Sequence, residues 1–364
     1  MKNLFQERGR LLISIGGVAA ALVLVLLLEG VFVGVSQDLV TYPERAGADV
    51  WVMQEGVSNM HMASSVLPSS LRGGVEAVPG VRDATPILYV SSPVEAGERR
   101  WFSYIVGVRP DAAAGGPWAM ARGTAIPGPG EAVIPDVLAR QGGVDLGNTV
   151  TVLGRQFRVV GLSMDTFSMV NSITFLAYDE LEQLLEAPGA ASYFLVRAEA
   201  EAAPDALATR IQQAVPGVHV MTREAFVASD LDMSRQMGVD LIQIMTWIGS
   251  VVGALVVGLT MYTATVRRAR EYGIAKALGA KNRHLLAVVA LQALVVVLLG
   301  LGTAVAVAYL ARALIPALAP EIALDYPVGS LLRVSVVAVG IAALAALLPA
   351  YRIARVEPGV VFKE

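Results

Sequence analysis

The 364-residue chain contains no cysteine, which excludes disulfide scaffolds, thiolate zinc sites and cysteine nucleophiles together. Histidine occurs at only three positions, His61, His219 and His284, leaving little for histidine-based catalysis. Lysine is confined to Lys2, Lys276, Lys281 and Lys363, with none in the long stretch 36–240. Charged residues make up 16% of the chain, against about 25% in a water-soluble domain. Three motif classes are also absent: the phosphate loop G-x-x-x-x-G-K-[ST], the zinc helix H-E-x-x-H and the nucleophile elbow G-x-S-x-G. Without the first, this chain does not hydrolyse ATP by the phosphate-loop route. A net charge of −3 argues against nucleic acid as a partner, because neutralising phosphates needs a basic surface.

What the chain has in excess is apolar sequence, 55% of its residues, with a mean hydropathy of +0.60. That excess is bunched into four stretches long enough to cross a bilayer. They are Leu11–Leu28 (resuming after Glu29 to Val35), Leu241–Val266, Leu285–Ala311 and Val334–Tyr351. The first is long for a signal-peptide core and lacks a small-residue cleavage site, so it reads as a retained membrane helix. Orientation follows from the basic residues. Arg267, Arg268, Arg270, Lys276, Lys281 and Arg283 between the second and third stretches face one acid, Glu271. The N-terminus and the tail are basic as well. Residues 36–240, by contrast, hold 14 arginines against 24 acids, a net of −10.

The expected layout is therefore a cell-membrane protein with both termini cytoplasmic. It comprises a cytoplasmic start (1–10), a span (11–35), an extracytoplasmic domain (36–240), a span (241–266) and a cytoplasmic connection (267–284). A third span (285–311), a short external loop (312–333), a fourth span (334–351) and a cytoplasmic tail (352–364) follow.

The external domain reads as mixed α/β. Asp49–Met53 and Val81–Ser91 are strand-like, with Pro68–Val78 helical between them. The order recurs as strand Ser192–Ala198, helix Pro204–Val215 and strand Val218–Met221. The pentapeptide Ala77-Val78-Pro79-Gly80-Val81 returns as Ala214-Val215-Pro216-Gly217-Val218, after a helix and before a strand both times, which points to duplicated βαβ units. Between the copies, about 100–186, lies an inserted subdomain. It has strands Arg100–Val108 and Glu131–Ile134 and a hairpin, Thr149–Leu153 with Gln156–Gly161, turning at Gly154-Arg155. Thr222–Asp240 reads as a helical stalk that starts at Thr222 and packs beside Ser36–Arg45.

Lesser signals are weighed against plain readings. Met60-His61-Met62, with Met53 upstream, offers soft Cu(I) ligands, but a mobile loop carrying methionines onto a partner or lipid is the plainer account. No metal or cofactor site is therefore assigned to the chain. Glu29 falls near the outer interface, where a local hydrogen bond or snorkelling accommodates it. Gly16, Gly17 and Ala20 in the first span, and Gly249 and Gly253 in the second, permit close helix approach and are expected at a contact between two copies.

The cytoplasmic connection is too regular for a slack loop. Ile274, Ala277 and Leu278 fall at i, i+3 and i+4, on one face of a short helix. Gly279 supplies a stop. Such a helix could lie on the bilayer or dock into a partner's groove, and composition does not choose.

Arg267–Leu286, RRAREYGIAKALGAKNRHLL, resembles the segment after the second membrane helix in MacB/FtsX-like ABC transporter permeases, with Tyr272 standing where an aliphatic residue is common. Leu348–Glu364 is similar to that family's C-terminal run through Pro349, Ala350, Ala354 and Pro358. Gly130–Leu162 is similar to the core of the external domain in the MacB-like branch. The resemblance implies a type VII ABC architecture, with four membrane helices and a porter-like external domain interrupted by an insertion. It implies two permease chains (a homodimer or close heterodimer) and a cytoplasmic ATPase dimer that binds the ATP and magnesium. It also allows an extracytoplasmic adaptor or substrate protein. Mechanical transmission across the bilayer would drive efflux or extraction of lipid, lipoprotein, peptide or drug. By position, the ATPase-coupling residues are Arg267, Arg268, Arg270, Glu271, Gly273, Ile274, Lys276, Ala277, Leu278, Gly279 and Ala280, with Arg352, Arg355 and Pro358 as a tail contact. The alternative is a membrane receptor or scaffold whose acidic domain binds an external ligand and whose basic helix rests on anionic lipid. Co-purification of an ATPase separates the two.

Overall fold

The computed structural model describes residues 8–61, 64–168, 172–234, 240–267, 274, 276, 278, 280–319 and 322–340. They fall into two compact units, one within Met1–Gly34, Val239–Ala319 and Ala323–Glu364, the other within Val35–Gly238 and Pro320–Ile322.

In the second unit the alternating apolar pattern builds one continuous run of strands. Strands β1 (Val50–Gln54), β3 (Val81–Ala96), β11 (Tyr193–Ala198) and β12 (Val218–Thr222) pair antiparallel in the order β12-β1-β11-β3. With α2 (Leu71–Glu76) after β1 and α5 (Pro204–Ala214) after β11, this is the split βαββαβ arrangement, and it gives the sequence duplication a structural meaning. The repeated pentapeptide is its signature. Gly80 and Gly217 both take a left-handed φ, +96° and +76°, which suits glycine. Val78, Val81, Val215 and Val218 are all buried in one core between the sheet and the two helices.

The helix expected over Pro68–Val78 is shorter than its sequence suggests. Leu67–Pro68 (β2) pairs instead with Ala190–Ala191 (β10), and Gly73-Gly74 inside α2 weakens helix propensity.

The chain between β3 and β11 adds β4 (Arg99–Val108), β5 (Met120–Gly123), β6 (Glu131–Pro135), α3 (Asp136–Gly142), β7 (Thr149–Val152), β8 (Arg155–Ser163), β9 (Ile173–Ala177) and α4 (Tyr178–Leu184). The pairings β3-β4-β9-β6-β8 continue the sheet, and β7 joins β8 back to the far end of β3. Six strands thus close a ring around Leu88, Val94, Ile105, Ile134, Phe157 and Leu176. At 16 residues, β3 is long enough to serve both halves. The β7–β8 turn is Leu153-Gly154, with φ of +51° and +76° and Val152 opposite Arg155, one residue earlier than its composition suggests. Leucine occupies the first turn position because its side chain packs on the ring core.

The first unit contains most of α1 (Arg8–Arg45), together with α7 (Asp240–Arg267), α8 (Asn282–Leu318) and the helix Val328–Gly340, here α9. Among the described residues, Ile15–Arg45 and Asn282–Ile315 are long and apolar enough to cross a membrane, with shorter apolar helices at Trp247–Val256 and Val328–Gly340. Helix α1 does not stop at Val35. It runs to Arg45, with Pro43 tolerated in its last turn.

Small residues set the packing of this unit. A Cβ on Gly253 would meet Ala21 at 3.5 Å, one on Gly249 would meet Leu28 at 3.5 Å, and one on Gly17 would meet Val256 at 3.8 Å. These glycines therefore seat α7 against α1 of the same chain, while Gly16, with open space around its Cβ position, and Ala20 are exposed. Nearby, Gly30 lies under the Tyr326 ring and accepts a hydrogen bond from Asp325 N–H at 3.2 Å.

Candidate functional site

Of the residues expected to couple to an ATPase, Ile274, Lys276, Leu278 and Ala280 are described, with Arg267 closing α7. The Leu278 amide donates to the Ile274 carbonyl at 3.0 Å, one helical turn. That turn puts two large apolar side chains outward, Ile274 at 45% and Leu278 at 84% exposure. Leu285, on the first turns of α8, is buried, so the apolar sequence divides between residues that pack within the chain and a pair that does not. Arg268, Arg270, Glu271, Gly273, Ala277 and Gly279, and Arg352, Arg355 and Pro358 of the tail, lie outside the described residues.

A polar site missed in the sequence joins α1 to α9. Glu29 is buried, its Oε1 accepting from Arg333 Nη2 at 2.8 Å, and the same guanidinium reaches Ser330 Oγ at 2.9 Å. The acid that looked like a solitary interfacial carboxylate is half of an ion pair spanning 304 positions of sequence.

In the second unit, the end of α1 and the helix after β12 meet one indole. Trp51 on β1 is fully buried. Phe226 of α6 (Arg223–Ser234) stacks on it at 4.6 Å and 14°, and Tyr42 of α1 meets it edge-on at 6.3 Å. Helix α6 begins where Thr222 Oγ1 accepts the Ala225 amide at 3.3 Å, the N-cap expected there. The remaining stalk positions 235–239 lie outside the described residues. Further along α6, the carboxylate of Asp230, wholly enclosed, accepts the Met60 amide at 3.0 Å and His61 Nδ1 at 2.9 Å. His61 stands edge-on to Tyr104 at 5.7 Å. Burial, more than the nearby charge of Asp230, pushes the Tyr104 hydroxyl up to about 12.

Met53 and Met60 are core residues rather than exposed ligands, and Met62 lies outside the described residues. No cluster of three potential hard or imidazole metal ligands occurs among the described residues.

The family model of the MacB-like periplasmic core domain matches residues 11–214, and that of the FtsX-like permease C-terminal region matches residues 244–358. An uncharacterized ABC transporter permease of Mycobacterium tuberculosis strain H37Rv, Rv0072, is 26% identical over 365 residues, covering 100% of this chain and 98% of its own. A second, Mb2592 of Mycobacterium bovis, is 24% identical over 363 residues with the same coverage. Among solved structures, the periplasmic region of MacB from Actinobacillus actinomycetemcomitans shares 12% identity at a TM-score of 0.39, covering 53% of this chain and 97% of that one. The extracellular domain of the noncanonic ABC-type transporter YknZ from Gram-positive bacteria shares 13% at 0.38, covering 48% and 99%. With the periplasmic-core model matching more than half of the chain and the permease model following it in order, the chain belongs to the MacB/FtsX family of ABC transporter permeases.

Proposed function

We propose that the chain is one of two permease subunits through which a separate ATPase dimer, holding the ATP and magnesium, drives movement of the extracytoplasmic domain. The transported or extracted material would be a lipid, lipoprotein, peptide or drug. The chain would cross the membrane four times with both termini in the cytoplasm, and the charge asymmetry of the sequence supports that orientation.

The observation that carries the reading is the exposed Ile274–Leu278 pair in a basic connection between two apolar helices. Buried in an ATPase groove, such a face gains about 25 cal/mol for each Å² removed from water. Exposed arginine and lysine pairs add only about 0–1 kcal/mol each, so they would orient the contact more than hold it. A segment lying on the bilayer inverts these weights, with charge dominant and the apolar pair secondary.

Leu278→Asp separates the two. Affinity purification of the full chain co-expressed with its ATPase should lose the ATPase, and ATP-dependent activity should stop, while insertion and external folding persist. Full retention of partner and activity overturns the coupling assignment.

A further inference from the structure

The loop after β1 is held from two sides. From the sheet, His219 Nδ1 on β12 donates to the Val57 carbonyl at 2.6 Å, and the Tyr193 hydroxyl on β11 donates to the Asn59 carbonyl at 3.3 Å. From α6, Asp230 takes the Met60 amide and His61 Nδ1 on one carboxylate oxygen. The loop is thus a bracket between sheet and helix, and the bonds of Asp230 are its grip on α6. The grip is incomplete. Asp230 Oδ2 and His61 Nε2 are both buried without a hydrogen-bond partner among the described residues. A buried polar pair left half-satisfied is held less firmly than a saturated one, which suits a contact that must open and close.

The end of α1 is fastened elsewhere. Tyr42 donates its hydroxyl to the Gly115 carbonyl at 2.9 Å, the Gly115 amide donates to the Ala46 carbonyl at 2.7 Å, and Arg45 reaches Asp165 at 3.2 Å. Gly115 and Asp165 belong to the segment inserted between β3 and β11. Thus α1 grips the inserted half, α6 grips the βαββαβ half, and Trp51 touches both helices.

We propose that Asp230 is the positioning residue that transmits movement of α6 to the external sheet, through a releasable clasp on Met60 and His61. This rests on the coupling function proposed above. When α6 shifts relative to the sheet, the directional bonds of Asp230 break over a short displacement, while the flat Phe226–Trp51 stack slides and keeps the helix docked. The clasp thereby has two states, and the Met60 amide reports which one is occupied.

The test is amide hydrogen exchange on the full chain, reconstituted with its ATPase in nanodiscs, in nucleotide-free and ATP-trapped states. The expected result is at least a tenfold change in Met60 exchange between the states, with the Gly115 amide changing less. Asp230→Leu should make Met60 exchange fast in both states and remove ATP-dependent external activity while ATP hydrolysis continues. Asp230→Asn, which keeps an acceptor oxygen, should restore the switch in part. A Met60 rate that stays within twofold between states, while other segments of the chain respond to nucleotide, overturns the clasp alone. No nucleotide response anywhere in the chain overturns the coupling function and the clasp with it. Should Asp230→Leu not fold, the two-state measurement on the unsubstituted chain still decides.

Discussion

The two units distribute their residues in opposite ways. In the external unit the large side chains point inward: Trp51, Tyr193, Phe157, Phe175 and Phe226 are fully buried. In helix α7 large side chains point outward, Trp247 at 62% and Leu255 at 68% exposure, while Gly249 and Gly253 face the neighbouring helix. Water rewards burying apolar area, so the external unit is organised by volume. Lipid offers no such reward, and helices associate there by close backbone approach and by satisfying polar groups. The exposed leucines of α7 are therefore unremarkable in a membrane, whereas the exposed Leu278, in a basic segment, is not.

Substitutions that respect one rule and violate the other sharpen this contrast. Trp51→Ala removes the residue on which α1 and α6 both rest and should cost about 3–5 kcal/mol, the usual range for emptying a core aromatic site. Denaturant unfolding of the full chain, followed by near-ultraviolet circular dichroism of the external unit, checks it. Trp247→Ala on the outward face of α7 should leave that transition within about 0.5 kcal/mol.

Arg333→Ala should cost about 1–3 kcal/mol, because Glu29 is left buried without its cation, even though the arginine itself is part-exposed. The double change Glu29→Leu with Arg333→Leu should recover most of that loss. A thermal melt in nanodiscs that treats the single and double changes alike would contradict the assignment. The smallest effect belongs to size. Gly253→Ala should be nearly neutral, since its new carbon has 3.5 Å of room, whereas Gly253→Leu should cost about 1–2 kcal/mol by forcing α7 away from α1.

How much of this was legible in the sequence depends on range. Strands β1, β3, β4, β6, β8, β11 and β12 and helix α5 could be read locally, because alternation and punctuation by glycine and proline are local signals. The short helices α3 and α4, two turns each, escaped because seven residues carry little helical periodicity, and strand β9 escaped as well. The ring closed by β7 is a matter of pairing that composition does not encode. The bond from His61 to Asp230 crosses 169 residues and that from Arg333 to Glu29 crosses 304, so a carboxylate visible in the sequence still hid its partner. The coupling segment is an expectation of another kind: its residues match a family pattern, and the i, i+3, i+4 spacing of Ile274, Ala277 and Leu278 names the face on which the proposal rests.

The most direct test of the account asks whether the sheet-bearing unit moves when the proposed ATPase partner binds ATP. The absence of cysteine allows a single spin label at Glu201→Cys, an exposed external position, with one label on each of the two proposed copies. Pulsed electron–electron distance measurement on the ATPase-bound complex should give different label separations in the ATP-trapped and ADP states. Leu278→Asp should abolish that difference. Identical distributions in both nucleotide states, in a complex that hydrolyses ATP, would contradict the coupling of the two units.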